Sequence, residues 1–191
     1  MAEPARKLWT LDEFFAFDDG TDTRYELIGG EIVAMTPPSG IHGALAAGLA
    51  AAIGAKLVRP CRVVTEAGIV LPDRVDAYYQ ADVAVTCAGL TAEPFVTEPR
   101  VITEVLSPST ATTDYLRKLP DYRSIPSVQD ILLVSSTEPR IEHWRREGDA
   151  WKVQDFRGEG VVRLQAFDVR VALAELYQDL LPAAGPEQAA G

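Results

Sequence analysis

The 191-residue sequence has few cysteines, no long apolar run and no excess of basic residues, and each shortage excludes a class of protein. No uncharged apolar stretch reaches the roughly 20 residues that span a bilayer, so we expect no contact with a membrane. The two cysteines, Cys61 and Cys87, predict neither a disulfide framework nor a metal site from their number and spacing. The N-terminus lacks the apolar core of a secretory signal, which makes the cytoplasm the expected compartment.

Basic residues are outnumbered by acidic ones, 18 to 28, and the formal net charge of −10 excludes a general DNA-coating protein. Between Arg100 and Arg163 the balance is even, with ten residues of each sign. The sequence leaves open whether this segment presents a local basic face or a mixed solvated surface. The apolar fraction of 47% and the charged fraction of 24% are ordinary for a globular domain.

Hydrophobic patterns and turn residues predict elements in the order α-β-β-α-β-β-β-α-β, followed by an antiparallel C-terminal meander. This order is typical of a mixed α/β (α+β) fold in which helices pack on a mixed sheet. The length suits one domain, which we expect to extend over residues 1–181. The remaining residues, 182–191, are expected to form a disordered tail.

Local signals predict where the helices begin and end. Ser39 or Gly40 is expected to start a helix that covers residues 41–57. Pro120 is expected to end or kink a later helix, because proline lacks a backbone N–H and clashes with the preceding turn. The segment at residues 170–180, "RVALAELYQDL", predicts a closing helix.

Three acidic residues interrupt segments that otherwise have the apolar pattern of strands. Glu104 lies within "VITEVLS", Asp82 within "ADVAVT" and Glu26 within "RYELI". An ionised carboxylate is costly to bury unless it has a partner. If the three acids converge, a hard divalent cation such as Mg²⁺ relieves their repulsion and activates a water for attack on a phosphodiester.

Each acid also has an ordinary structural explanation. Glu104 can form an ion pair with a nearby lysine or arginine, Asp82 can accept backbone hydrogen bonds at a strand end, and Glu26 can lie on the solvent face of a hairpin. The coincidence of two acids inside apolar strands, followed by a basic helix, favours a shared site over separate explanations.

The helix after Glu104 carries Lys118, whose long side chain can reach back over such a site. There it would hold a phosphate or stabilise a hydroxide nucleophile, although Arg117 competes for this role and a surface position is the alternative. Tyr122 lies one turn further on the same helical face, where it can pack or hydrogen-bond the lysine. His42, near a helix start, can contact a phosphate or a metal, or simply cap or pack.

A family resemblance is carried by three segments and one helical motif, which occur in this order: "RYELIGGEIVAM", "ADVAV", "EVLSPST", and D-x-x-x-K-x-x-x-Y at Asp114, Lys118 and Tyr122. From about Leu8 to Tyr177 the chain resembles the Uma-two family of endonucleases, within the restriction-endonuclease-like PD-(D/E)XK superfamily. The resemblance implies a restriction-endonuclease-like mixed β-sheet flanked by helices, and a site for Mg²⁺ or Mn²⁺. It also implies a bacterial protein that forms a homodimer.

The resemblance assigns roles to the acids by position. Asp82 and Glu104 match the two metal-binding acids, and Glu26 looks like the accessory acid. The superfamily lysine that stands two residues after the second acid is absent, because that position is Leu106. The family pattern supplies a lysine from the following helix instead, and Lys118 fits it.

The leading hypothesis is a divalent-metal-dependent endonuclease that hydrolyses phosphodiester bonds in DNA, with a metal-activated water as nucleophile. Asp82, Glu104 and Glu26 would bind the metal, and Lys118 would complete the catalytic set. The rival, from another class, is a catalytically inactive nuclease-fold protein that acts as an interaction or assembly module, which the acidic net charge favours. A weaker third hypothesis is acid–base chemistry by a carboxylate pair, as in glycoside hydrolysis.

Overall fold

The centre of the fold is a mixed sheet, as the sequence predicts, and it has eight strands among the described residues. The computed structural model describes residues 7–181, apart from the side chain of Gln165. The strands of this sheet are β1 (Tyr25–Ile28), β2 (Glu31–Ala34), β3 (Arg62–Val70), β4 (Ala77–Thr86), β5 (Pro99–Leu106), β6 (Asp130–Ser135), β7 (Arg140–Glu147) and β8 (Ala150–Arg157). Two further strands form a separate antiparallel pair, β9 (Val161–Leu164) and β10 (Val169–Ala172).

Short helical segments connect the strands, and one long helix packs on the sheet. The α-helices are α1 (Leu11–Phe15), α2 (Gly40–Gly54), α3 (Ala111–Thr113), α4 (Leu119–Ser124) and α5 (Leu173–Leu176). A π-helical turn at Asp114–Lys118 joins α3 to α4, and a 3₁₀ turn at Gln165–Phe167 joins β9 to β10. Ser39 caps α2, because its hydroxyl accepts a hydrogen bond from the His42 backbone N–H.

Strand β4 organises the sheet, because three strands pair with it although a strand has two edges. The order is β2-β1-β4-β5-β6-β7-β8, and β3 pairs with β4 in addition. β3 follows β4 from Tyr78 to Thr86 and so occupies one edge. β1 and β5 therefore share the other edge, where β1 reaches only Tyr78 and β5 begins at Val83. Along this edge, residues 79–82 pair with no other described strand.

Two apolar cores lie on opposite faces of the sheet. One face is covered by α2, α5 and the β9–β10 pair; Leu45, Leu49 and Ile53 of α2 recur at helical spacing and are fully buried there. The other face is covered by α4, through Leu119 and Tyr122. Strand β6 lies between two neighbours with both faces covered, which explains its continuous apolar pattern.

The chain crosses over the sheet between β5 and β6, which run parallel. A parallel pair needs such a crossover, because the chain must return to the same end of the sheet before the second strand can start. The helical segment from α3 to α4 is this crossover, so it comes directly after Glu104. The topology therefore places Lys118 over the strands that carry the predicted acids.

The sequence misplaces the ends of several helices. The helix predicted over residues 41–57 ends at Gly54. Pro120 does not end its helix, because it lies in the first turn of α4, where a missing N–H is tolerated, and the helix continues to Ser124. The closing helix predicted over residues 170–180 is instead β10 followed by the four-residue α5, since this segment pairs with β9.

Cys61 and Cys87 form a disulfide, so the prediction that they would not is wrong. The cause is the antiparallel register of β3 and β4. Arg62 pairs with Thr86, and the next position along the same register brings the two cysteines opposite each other. Their separation of 26 residues becomes a contact only when this hairpin forms.

Three further expectations concern the chain as a whole. Within residues 7–181, no helix is long and apolar enough to cross a membrane. The tail predicted over residues 182–191 lies outside the described residues. The assignment of residues 1–181 to one domain stays a prediction.

Gly68 in β3 lets the loop before β5 pack directly on the sheet. A Cβ at this position would lie 2.6 Å from the Tyr78 hydroxyl oxygen and closer still to the Pro94 carbonyl oxygen. The Val96 N–H donates to the Gly68 carbonyl at 2.9 Å, which holds the loop in place. We expect Gly68→Ala to lower the free energy of unfolding by about 2 kcal/mol, because the loop must move away. Urea denaturation followed by circular dichroism measures this change.

Gly43→Ala is the matched control, because Gly43 lies inside α2 with open space around its missing Cβ. Alanine there should leave stability unchanged or raise it by up to about 1 kcal/mol. Equal losses in the two variants would contradict the packing role of Gly68.

Candidate functional site

Side chains take over the hydrogen bonding that the backbone does not supply along residues 79–82 of β4. The Glu26 oxygen Oε1, from β1, accepts the Gln80 backbone N–H at 2.7 Å. The Asp82 oxygen Oδ2 accepts the Val105 backbone N–H of β5 at 2.6 Å. Two acids are thereby held where β1 and β5 separate along the edge of β4. We call this place the fork.

Glu104 joins these acids because of the register between β4 and β5. Val83 pairs with Thr103 at the end of this ladder, and Asp82 and Glu104 are the next residues on the two strands. The Asp82 oxygen Oδ2 accepts the backbone N–H of Val105, the residue after Glu104, so the two acids lie close together. The structure therefore brings the three predicted acids together, with Glu104 only 3% exposed.

The partner of the buried Glu104 is Lys118. The lysine side chain is itself buried, with 6% exposure, whereas its neighbour Arg117 points to solvent. Its ammonium nitrogen lies 2.8 Å from Glu26 Oε1, 3.4 Å from Glu104 Oε1 and 3.4 Å from Asp114 Oδ1. A single positive charge is thus shared by three carboxylates, which offsets the cost of burying any one of them.

Tyr122 lies one helical turn after Lys118 but binds the acid, not the lysine. Its hydroxyl donates to Glu104 Oε1 at 2.5 Å. The ring is fully buried and packs edge-to-face on Tyr79, with ring centroids 5.7 Å apart. Burial, and next the charge of Glu104, raise the pKa of the Tyr122 phenol well above its ordinary value. Tyr122 is therefore a neutral hydrogen-bond donor that fixes one oxygen of Glu104.

The protonation of this cluster follows from burial and opposed charges. Burial raises the pKa of the Glu104 carboxyl well above 4.5, and the charge of Lys118 opposes this rise. Burial likewise raises the pKa of Asp114. Burial alone would lower the pKa of Lys118, but the surrounding acids outweigh it and raise the value above 10.5. The lysine stays charged, and as the pH falls protons enter at Glu104 and Asp114.

His42 reaches the fork from α2, on the other side of the sheet. Its ring nitrogen Nε2 lies 2.8 Å from Asp82 Oδ1. This hydrogen bond raises the pKa of His42, although partial burial opposes the rise. Asp82 and His42 are the more open part of the site, with side-chain exposures of 21% and 16%. The other histidine, His143, is buried elsewhere and binds Asp130 at 2.7 Å.

Sequence reasoning gave Asp114 no role, yet it is one of the three carboxylates around Lys118. The available signal was the spacing of four residues, which places Asp114 and Lys118 on one helical face. It was not decisive, because such pairs usually lie on the surface, and the pattern does not tell which face of a short helix is buried. The roles of the Gln80 and Val105 backbone N–H groups had no sequence signal at all.

The carboxylates at the fork are suitable ligands for a divalent cation, but they do not form a complete metal site. Asp82 and Glu104 offer carboxylate oxygens from neighbouring strands, and such oxygens are ligands that Mg²⁺ and Mn²⁺ accept. All three acids already have partners: Glu26 Oε1 accepts from Lys118 and from the Gln80 N–H, and Glu104 Oε1 accepts from Lys118 and Tyr122. Both Asp82 oxygens are engaged as well, by His42 and the Val105 N–H. No group of three or more acidic, histidine or cysteine side chains within residues 7–181 has the arrangement of a complete metal site. Glu26 as a metal ligand stays a prediction.

The fold, a mixed sheet flanked by helices, is the one expected of the restriction-endonuclease-like class, and acids from adjacent strands lie beside a lysine. The fold is shared with a crystal structure described as "a putative nuclease belonging to DUF820" from Anabaena variabilis ATCC 29413. The two structures match with a TM-score of 0.69 at 22% sequence identity, over 88% of this chain and 97% of the other.

Two relatives come from Synechocystis sp. (strain ATCC 27184 / PCC 6803 / Kazusa). Uncharacterized protein slr1290 is 27% identical over 173 residues, which cover 88% of this chain and 91% of the relative. Uncharacterized protein sll1609 is 28% identical over 165 residues, which cover 83% and 93%. The model of the Uma2 family, described as "Putative restriction endonuclease", matches residues 11–174. The chain belongs to the Uma2 family, and the predicted family resemblance is confirmed.

Lys118→Met tests the charge balance of the buried cluster. It leaves Glu26, Glu104 and Asp114 without their shared cation, so we expect the free energy of unfolding at pH 8 to fall by about 3–5 kcal/mol. Burial already raises the pKa of Glu104 and Asp114, so without the opposing charge of Lys118 these two carboxyls bind more protons in the folded than in the unfolded state. The loss should therefore shrink as the pH falls towards 5. Urea denaturation across this pH range measures both effects.

Lys152→Met is the control, because Lys152 is exposed on β8. Its stability should stay within about 0.5 kcal/mol of the parent at every pH. A loss in Lys118→Met that does not vary with pH would mean that packing, not charge, is what the lysine contributes.

Proposed function

We propose that the protein is a divalent-metal-dependent endonuclease that hydrolyses phosphodiester bonds in DNA. The observation that carries this proposal is the meeting of Asp82 and Glu104 at the fork, with the Lys118 ammonium 3.4 Å from Glu104. Paired acids suit a hard cation, and a nearby ammonium suits the negative charge of a phosphodiester. Membership of a family described as "Putative restriction endonuclease" supports the same class of reaction.

Asp82 and Glu104 would hold Mg²⁺ or Mn²⁺, which when bound lowers the pKa of a water and so supplies the nucleophile. The Val105 N–H and His42 orient Asp82, and Tyr122 orients Glu104. These contacts hold both acids in place in the free protein, and such preorganisation is the condition for effective charge stabilisation. Lys118 stays protonated beneath the site and would stabilise the charge that grows on the attacked phosphate.

Glu26 would position Lys118, and His42 would act beside Asp82. Glu26 holds the Lys118 ammonium at 2.8 Å and so sets its position. As a metal ligand, Glu26 would need the ammonium to shift towards the substrate phosphate and release its oxygen. His42 lies at the open side of Asp82, where its imidazole would contact a phosphate oxygen or the metal.

A second candidate, from another class, is a catalytically inactive nuclease fold that serves as an interaction or assembly module. The observation that favours it is the ion-pair network around Lys118, since an ammonium shared by three acids lets them lie together without a metal. The net charge of −10 also weakens general attraction to DNA. Metal binding separates the two candidates.

We also propose a homodimer that acts in the cytoplasm, as the family resemblance implies. Cutting both strands of a duplex in one encounter requires two sites, which a symmetric dimer supplies. The Cys61–Cys87 disulfide opposes the cytoplasmic assignment, because disulfides rarely persist in reducing compartments.

Glu104→Gln should abolish cleavage while the fold stays intact, because the amide keeps the size of the side chain but loses the charge that binds a cation. The measurement is cleavage of a panel of single-stranded and duplex DNA in Mg²⁺ or Mn²⁺. Glu159→Gln, at an exposed position, is the control and should cut like the parent. Cleavage by Glu104→Gln at the parent rate would remove Glu104 from the catalytic set.

Mg²⁺ or Mn²⁺ should raise the melting temperature of the parent, because a ligand that binds only the folded state stabilises it. Asp82→Asn should lose this rise, whereas Asp22→Asn, at an exposed loop position, should keep it. Thermal denaturation across a metal titration measures the shift. A parent protein with no shift at millimolar metal would favour the interaction module.

A further inference from the structure

An open cavity of about 440 Å³ lies beside the fork, and half of its lining residues are aromatic. Phe14 and Phe15 of α1, Tyr25 of β1 and Tyr78 of β4 supply the rings. The volume lies within the range of small-molecule sites, which combine apolar walls with a few polar groups.

One of these rings, that of Phe15, keeps an apolar face exposed. Tyr78 is nearly buried and packs against Phe14 and Phe15, with centroid distances of 5.2 Å and 5.4 Å. Phe15 also stacks on Phe95 at 6.1 Å, yet it remains 38% exposed. Large exposed rings beside a cavity are suited to stacking on a flat aromatic ligand.

The cavity shares Gln80 with the fork but lies on the face of β4 opposite Glu104 and Lys118, because Tyr79 packs on Tyr122 whereas Tyr78 and Gln80 line the cavity. It is the face from which His42 of α2 reaches Asp82. The backbone N–H of Gln80 holds Glu26 at the fork, and the same residue lines the cavity. Asp82 follows two residues later on β4, a distance of about 7 Å along a strand. A ring in the cavity is therefore close enough to belong to the nucleotide whose phosphate reaches Asp82.

The polar groups of the cavity favour ligands that donate hydrogen bonds. The Gln80 side-chain nitrogen donates to the Glu66 carbonyl at 3.1 Å, which fixes the amide and leaves its oxygen as an acceptor. Glu93 adds a carboxylate at the rim, and the charge of Arg24 is balanced by Glu66 at 2.6 Å. Exocyclic amino groups of nucleobases are donors of the required kind, and thymine has none.

We propose that this cavity binds one unstacked nucleobase of single-stranded or locally unpaired DNA, with an exocyclic amino group directed to Gln80. This inference rests on the proposed function, because it names the kind of strand that the fork would cut. A base within an intact duplex must first leave its stack, which costs free energy and disfavours paired DNA.

The test uses the full chain in EDTA, so that no strand is cut. The probe is a single-stranded oligonucleotide with one internal 2-aminopurine, whose fluorescence falls when it stacks on an aromatic ring; the same strand annealed to its complement is the paired probe. Phe15→Leu removes the exposed ring. Phe17→Leu is the matched control, because Phe17 contacts Trp9 and Tyr25, each at 5.4 Å, but does not line the cavity.

We expect the parent to quench the single-stranded probe and to bind the duplex at least about tenfold more weakly. Phe15→Leu should raise the Kd for the single strand about tenfold, while Phe17→Leu should change it by less than about twofold. Equal binding of strand and duplex, no effect of Phe15→Leu, or the same loss in both variants would overturn the proposal. Free dAMP that competes as well as the oligonucleotide would overturn the assignment to a strand.

Failure of the nuclease and failure of the cavity are separable. If the parent cuts no DNA in Mg²⁺ or Mn²⁺ but still quenches the probe through Phe15, the proposed function is wrong and the nucleobase site stands. If the parent cuts DNA and quenching is absent, the nucleobase site is wrong and the nuclease stands.

Discussion

The buried ammonium of Lys118 is the constraint on which the rest of the site depends. A lysine at 6% exposure is tolerable only among acids, and an acid inside an apolar strand such as Glu104 is tolerable only beside a cation. Each group thus makes the burial of the other acceptable. Because charge pairs in the interior depend on close contact, the cluster holds the crossover helix at one position over the sheet. The candidate chemistry uses the same groups that enforce this position.

The path of the backbone brings the residues of the cluster near one another. The parallel pair β5–β6 requires a crossover, and this crossover carries Lys118 over the sheet directly after Glu104. On the edge that β1 and β5 share, residues 79–82 of β4 have no strand partner. Hydrogen bonds to the side chains of Glu26 and Asp82 fill this gap. A second brace, away from the fork, holds α4: Asp121 accepts hydrogen bonds from Tyr79 at 2.5 Å and from Arg74 at 2.8 Å.

The site has a buried half and an open half, so a substrate would approach from the open half. Lys118 and Glu104 lie beneath, whereas Asp82 and His42 are partly exposed. The cavity continues the open side along β4, where Tyr78 and Gln80 precede Asp82 at intervals of two residues. One strand therefore contributes an aromatic wall, a hydrogen-bond acceptor and an acid at the fork. A nucleic-acid strand laid along β4 would meet them in that order.

Much of the fold follows from the sequence, because burial along a strand or helix leaves a periodic trace. The order of elements, the cap at Ser39 and the anomaly of acids in apolar strands are all local features of this kind. The resemblance to the family came from short motifs that include the same acids and Lys118. The sequence by itself therefore determined which residues are buried, and which of these buried residues are acids that need a partner.

Tertiary structure decided the partners. The Cys61–Cys87 disulfide, the place of Asp114 beside Lys118 and the hydrogen bond from Gln80 to Glu26 join residues through register or shared edges. Strand register and the choice of edge depend on contacts between distant segments, which periodicity does not encode. The same cause misplaced the closing helix, since its first residues pair with β9. The set of acids that share the Lys118 ammonium was decided only by the pairing of β1, β3 and β5 with the two edges of β4.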